Sequence, residues 1–165
     1  MWQVQSLADL GLEVHIRELP CEIPDAILLS EDRTHAVYDP AAAQRFWRAL
    51  VQEDRVFKKF RTGFIGKASP VHCFWGSFDL AVTRFSGRRA PPFTGKVPGL
   101  ATAVMAEAYS HEVSSAGFWP GGGGIDSACF YSYAYPTPDG FKSAPVAPKG
   151  AFFDAKLGEF LLPYD

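Results

Sequence analysis

Residues 69–89 read SPVHCFWGSFDLAVTRFSGRR. Apolar and polar positions alternate along this stretch, the period-two pattern of a strand with one buried face. Read as one strand, it has two sides. His72, Phe74, Gly76, Phe78, Leu80, Val82 and Arg84 form an apolar strip with a cation at its far end, assigned here to the core against a helix. Trp75, Ser77, Asp79 and Thr83 fall on the other side, together with Cys73 and Phe85. That mixture of ring, hydroxyl and carboxylate is the composition of a pocket wall. The plain alternative is a solvent-facing side that carries one tryptophan. Gly76, inside the run, is the position for a bulge.

Upstream, Asp39-Pro40 opens a helix. An aspartate accepts from the first free amides, and proline at the first helical position gives up nothing. Phe46, Leu50, Phe57, Phe60 and Phe64 follow at helical spacing, flanked by Trp47 and Val51, and the helix is predicted over 40–62. Arg55, Lys58, Lys59 and Arg61 crowd its end, where the helix dipole favours cations. Earlier still, residues 2–10 show helical spacing and end at Gly11, a C-terminal cap. Leu12, Val14 and Ile16 then alternate with charged residues and predict a strand. Residues 20–38 are loop.

Downstream, the Pro- and Gly-rich residues 90–99 predict a loop, which with 20–38 supplies two lid candidates. Residues 100–108 predict a short helix, 109–119 a second strand and 127–135 a third, with Gly121 to Gly124 as the turn between them. Parity places His111, Val113, Ser115 and Trp119 on one face, and Tyr131, Tyr133 and Tyr135 on another. Stacked tyrosines offer rings and hydroxyls to a planar ligand, and equally suit a half-exposed sheet. Phe152, Phe153, Leu157, Phe160, Leu161 and Leu162 predict a final short helix. Long strands in succession without long helices between them predict an α+β fold. Its antiparallel sheet has helices gathered on one face.

The chain has 165 residues, enough for one domain, and a formal net charge of −2. That balance offers no general attraction to nucleic acid or to an anionic membrane. No signal peptide opens the chain and no apolar run spans a bilayer, so a cytoplasmic location is expected. Cys21, Cys73 and Cys129 form no CxxC pair and are read as buried, reduced thiols. His111-Glu112 begins an HExxH pattern, but Ser115 stands where the second histidine is required. A metal site would have to combine His72, His111 and Asp79 or Glu112, and no spacing supports one. Neither a phosphate loop nor a GxSxG elbow is present, and the sequence calls for no cofactor.

The strings SPVHCFWGSFDLAVTRFSGRRAPP, EAYSHEVSSAGFWPGGGG and FYSYAYP together resemble the bacterial domain of unknown function 5996 family. The resemblance runs from the Leu10 region to the closing GEFLLPY and carries no activity with it. It implies that members are longer at both ends. It further implies that an N-terminal portion repeats the helix-then-strand plan of residues 40–85, so this chain would be an incomplete half of a duplicated domain. At Cys73 the family typically has Phe.

Three functions fit these residues. The leading one is binding of a small polar or aromatic ligand in a cleft lined by Trp75, Ser77, Asp79, Thr83, Arg84, His111, Glu112, Trp119, Tyr131 and Tyr133. The second is an enzyme in the same cleft, with Asp79 or Glu112 as general base, His111 as its partner, and Arg84 or Arg88 holding an anionic group. The third is a structural or interaction module with an exposed Trp-Tyr surface.

Overall fold

The computed structural model describes residues 2–97, 100–122 and 124–164. Pro98, Gly99 and Gly123, expected in loop and turn, lie outside the described residues. The described residues form three α-helices, a short 3-10 helix (Phe141–Ser143) and one six-stranded sheet: α1 (Trp2–Asp9), α2 (Pro40–Thr62), β1 (His72–Cys73), β2 (Leu80–Arg89), α3 (Thr102–Ala108), β3 (His111–Trp119), β4 (Cys129–Tyr135), β5 (Phe152–Asp154) and β6 (Glu159–Pro163). The strands are ordered β1-β2-β3-β4-β6-β5, and every pairing is antiparallel. The fold is α+β. No helix among the described residues is long and apolar enough to cross a membrane.

Helix α2 begins where the sequence places it. The Asp39 carboxylate accepts from the amides of Ala41 at 2.8 Å and Ala42 at 3.1 Å, Pro40 follows, and Lys59 and Arg61 occupy the last turn. Its inward stripe sets Phe46, Leu50, Phe57 and Phe60 against Leu80 and Val82 of β2 and Phe118 and Phe130 of the next strands. Each large side chain buried there contributes about 2 kcal/mol of transfer free energy. Glu53 lies in the same stripe, 3% exposed, and burial pushes its carboxyl pKa up. The basic end of the helix faces solvent, where Lys58 pairs with Asp54 at 2.6 Å.

Residues 69–89 are a hairpin, not one strand. The Phe74 amide donates to the Asp79 carbonyl at 2.8 Å, closing a turn between β1 and β2. Phe78 enters β2 at φ 60, in the left-handed region, which resets the side-chain parity. His72 pairs with Ala81, so it stands on the face opposite Leu80 and Val82 and leaves the apolar strip. Arg84 stays with that strip, its guanidinium 3.4 Å above the Phe60 ring. Gly76 sits in the turn and makes no bulge.

Three further expectations are corrected. Residues 12–17 pair with no strand, and Leu12, Val14 and Ile16 are exposed. Alternation alone does not hold a strand without a neighbour to complete its hydrogen bonds. The C-terminal apolar run is the hairpin β5–β6 rather than a helix. Gly158 at φ 75 makes its turn, and the Asp154 carboxylate accepts from the amides of Lys156 and Leu157. The cysteines are free, but only Cys129 is buried, Cys21 is half-buried and Cys73 is exposed.

Candidate functional site

The face of the sheet turned away from α2 is mixed, with hydroxyls, phenols and carboxylates standing beside the buried Val113, Cys129 and Leu161. Register fixes its pairs as Ala81 opposite Gly117 and Thr83 opposite Ser115 on β2 and β3, with Tyr131 and Tyr133 alongside on β4. Small side chains on two strands leave a trough, and the tyrosines of the third lie across it. A Cβ placed on Gly117 would stand 2.2 Å from Cζ of Tyr131, so glycine is required for that ring to cross β3. Having crossed, the Tyr131 hydroxyl donates to Oδ2 of Asp79 at 2.5 Å. Ser77 donates to Oδ1 at 2.8 Å, and Asp79 is only 8% exposed. A buried carboxylate of this kind is tolerable because donors hold both of its oxygens.

The network continues along the face. Thr83 and Ser115 share a hydrogen bond at 3.1 Å, and Tyr109 donates to the Tyr133 hydroxyl at 3.1 Å. Tyr131 and Tyr133 stack with ring centres 6.2 Å apart. Burial raises the phenol pKa of both well above its ordinary value, assisted at Tyr131 by the Asp79 carboxylate and at Tyr133 by Tyr109. From β6, Glu159 joins the same face. Burial pushes its pKa from the ordinary 4.5 up to about 7, and the Asp154 and Asp79 carboxylates add to that. Asp154 stands directly opposite Glu159 in the β5–β6 register, a like-charge pair that weakens the hairpin. No ion pair or hydrogen bond of the Glu159 side chain occurs among the described residues.

Loops cover both ends of this face. Phe93 stacks on Tyr109 at 4.5 Å and meets Tyr135 edge-on, while the Tyr135 hydroxyl donates to the Pro91 carbonyl at 2.9 Å. At the other end Glu22 lies against Gly76, where an added Cβ would come within 2.5 Å of its Oε1. The same carboxylate raises the Tyr109 phenol in concert with burial, the larger cause. The 90–99 loop therefore rests on the tyrosines, while the 20–38 loop meets the β1–β2 turn at Gly76.

Of the residues singled out from sequence, Ser77, Asp79, Thr83, Tyr131 and Tyr133 come together here. Trp119, one residue beyond the Phe118–Leu80 pair, is half-buried at the Asp79 end. Trp75 is not part of the wall: it is 82% exposed at the tip of the β1–β2 turn, edge-on to Phe78. Arg84 lies on the opposite face. His111 stands at the far end of β3, its Nδ1 bonded to Ser110 Oγ at 3.1 Å. Six residues separate it from Gly117, roughly 20 Å along a strand. Glu112 faces the other way and is held by Ser86 at 2.7 Å and Arg88 at 2.6 Å, which lower its pKa. The structure therefore assembles neither a His111–carboxylate pair nor a cluster of His72, His111 and Asp79.

Tyr109, Ser115, Glu159 and Asp154 were not among the site residues named from sequence. Glu159 had a signal, a single carboxylate inside the apolar run GEFLLP, which a helical reading of that run concealed. Ser115 carried its own signal too, in sharing parity with His111 and Trp119.

The chain matches the model of a family described as Family of unknown function (DUF5996) over residues 2–165. No curated protein and no solved structure matches it.

Proposed function

The chain belongs to the DUF5996 family, and from that premise we propose that it binds a small polar or aromatic molecule on the tyrosine face, in the cytoplasm. The observation that carries this reading is Glu159. It is a half-buried carboxylate with a pKa pushed up to about 7, among tyrosine rings and two other carboxylates, with no cation paired to it. A sheet face built only for stability would place an apolar residue there. Perturbed carboxylates in a partly dry polar site mark functional positions. The site is rich in acceptors and ring faces and has no lysine or arginine paired to its carboxylates among the described residues, so the ligand that fits carries amine or hydroxyl donors. Loops 20–38 and 90–97 then act as its covers.

A thermal-shift screen of a metabolite library tests this. A ligand present at a hundred times its Kd adds about 2.7 kcal/mol of stability. The expected hits carry donor groups and lose their shift in Glu159→Gln and Asp79→Asn. Hits that stabilise these variants as well as the wild type overturn the assignment of the site.

One observation favours a second reading. A carboxyl group with pKa near 7 is matched to general acid–base work at neutral pH. In an enzyme on this face the proton carrier is Glu159, with Tyr131 and Asp79 orienting the substrate, rather than a histidine. Turnover of a hit from the screen, abolished in Glu159→Gln with binding retained, separates enzyme from binder.

A further inference from the structure

At the other end of the sheet, β2 loses register with β3 between Phe85 and Arg89. Gly87 at φ 85 carries the irregularity, and a Cβ on it would meet nothing within 4 Å. A groove of about 500 Å³ opens beside this bulge, with Phe64, Phe85 and Pro136 as apolar walls and Arg84, Arg88 and Glu112 as charged ones. A second groove of about 840 Å³ shares Phe64, Phe85, Ser86 and Arg88 with it and adds Lys67, His111 and one carboxylate, Glu107.

The charges in this region do not balance. Arg88 is neutralised by Glu112. Arg84 is half-buried and has no carboxylate partner among the described residues. It donates from Nη2 to the Phe60 carbonyl, stands over the Phe60 ring, and has a buried Nε–H with no acceptor among the described residues. A buried guanidinium normally has its donors satisfied, because each one left open forfeits the hydrogen bond it made to water. Lys67 forms no ion pair among the described residues and lies 5.7 Å from the Phe85 ring centre.

We propose that this groove binds a small organic anion, its apolar body between Phe64 and Phe85 and its carboxylate or phosphate head on Arg84 and Arg88. Guanidinium forks match both head groups in geometry. The groove meets the tyrosine face at Tyr135, but none of Asp79, Tyr131, Tyr133 and Glu159 lines it, so it does not depend on the function proposed for that face.

Amide chemical shifts of the wild-type chain, titrated with benzoate, phenyl phosphate and the neutral benzamide, test the proposal. Either anion is expected to shift amides at Phe64, Ser86 and Ser114 at ~1 mM, and benzamide to require at least about tenfold more. Preference between benzoate and phenyl phosphate identifies the head group. Arg84→Met should weaken anion binding about tenfold, in keeping with the loss of one charge-assisted contact. If that variant fails to fold, two exposed-side changes decide the matter. Arg88→Met should weaken binding, and Glu112→Gln, which frees Arg88, should strengthen it several-fold. Asp79→Asn should leave it unchanged. Equal binding of benzamide and benzoate overturns the proposal, as does indifference to both Arg88→Met and Glu112→Gln, or the absence of any shift at these amides.

Discussion

The two faces of the one sheet are built on opposite principles. Beneath α2, Leu80, Val82 and Phe118 meet Phe57 in a dry contact whose gain is non-directional burial. On the far side, residues one position along the same strands are Ala81, Thr83, Gly117 and Ser115, and hydrogen bonds organise what lies on them. The first face depends mainly on apolar volume and shape. The second requires particular atoms: a hydrogen at Gly117, a hydroxyl on Tyr131, both oxygens of Asp79. Buried rings dominate the first face, although it too takes in a carboxylate, Glu53, whereas the second holds Asp79 through donors to both of its oxygens.

This contrast is open to direct attack, most severely through the apolar face. Phe118→Ala removes a ring 1% exposed and should cost about 4 kcal/mol. Urea denaturation measures the loss, and a cost under ~1 kcal/mol would remove the distinction between the faces. On the polar face Gly117→Ala should cost about 3 kcal/mol, because the Tyr131 ring must swing off β3 and leave Asp79 short of a donor. Combined with Tyr131→Phe, it should cost much less than the sum of the two, since both break one contact. Tyr131→Phe alone removes a hydrogen bond to a charged group and should cost about 2 kcal/mol.

Glu159 gives the contrast a pH signature. Its pKa in the folded chain is raised from 4.5 to about 7, so the folded state holds its proton more tightly than the unfolded one. That tighter hold is fully effective below about pH 4.5, fades as pH rises to about 7, and is absent above. Relative to the wild type, Glu159→Gln should therefore gain stability as pH rises through that window. The gain should reach roughly 2 kcal/mol at pH 8, once partial solvent exposure is allowed for. Melting temperatures of the pair at pH 4, 6 and 8 read it directly, and parallel curves would mean that Glu159 is solvated. The smallest effect belongs to Trp75→Ala, expected within about 0.5 kcal/mol because its ring meets mainly solvent.

Legibility followed the range of the interactions. Helix α2 was readable to its ends because Asp39, Pro40 and the basic last turn are local signals. Strands β3 and β4 were readable from alternation, and so was the shared face of Tyr131, Tyr133 and Tyr135. The β1–β2 hairpin was not, since its turn places a phenylalanine at positive φ where a glycine would have announced it. The phenylalanines of β5 and β6 suit either helical or strand spacing, and Gly158 was the discriminating residue. With that hairpin misread, Glu159 could not be aligned with Asp79.

By itself, then, the sequence determined the fold class, the long helix, two central strands, and the parity that groups Asp79 with Thr83 on one strand and Tyr131 with Tyr133 on another. These follow from spacing and capping, which act over a few residues. Only the tertiary structure decided that Tyr131 reaches Asp79 across Gly117, that His72 and Trp75 leave the wall, and that Glu159 enters the site. Each of those facts depends on which strands lie side by side. Strand neighbours are set by the packing of the whole sheet, and no local window of sequence contains that information.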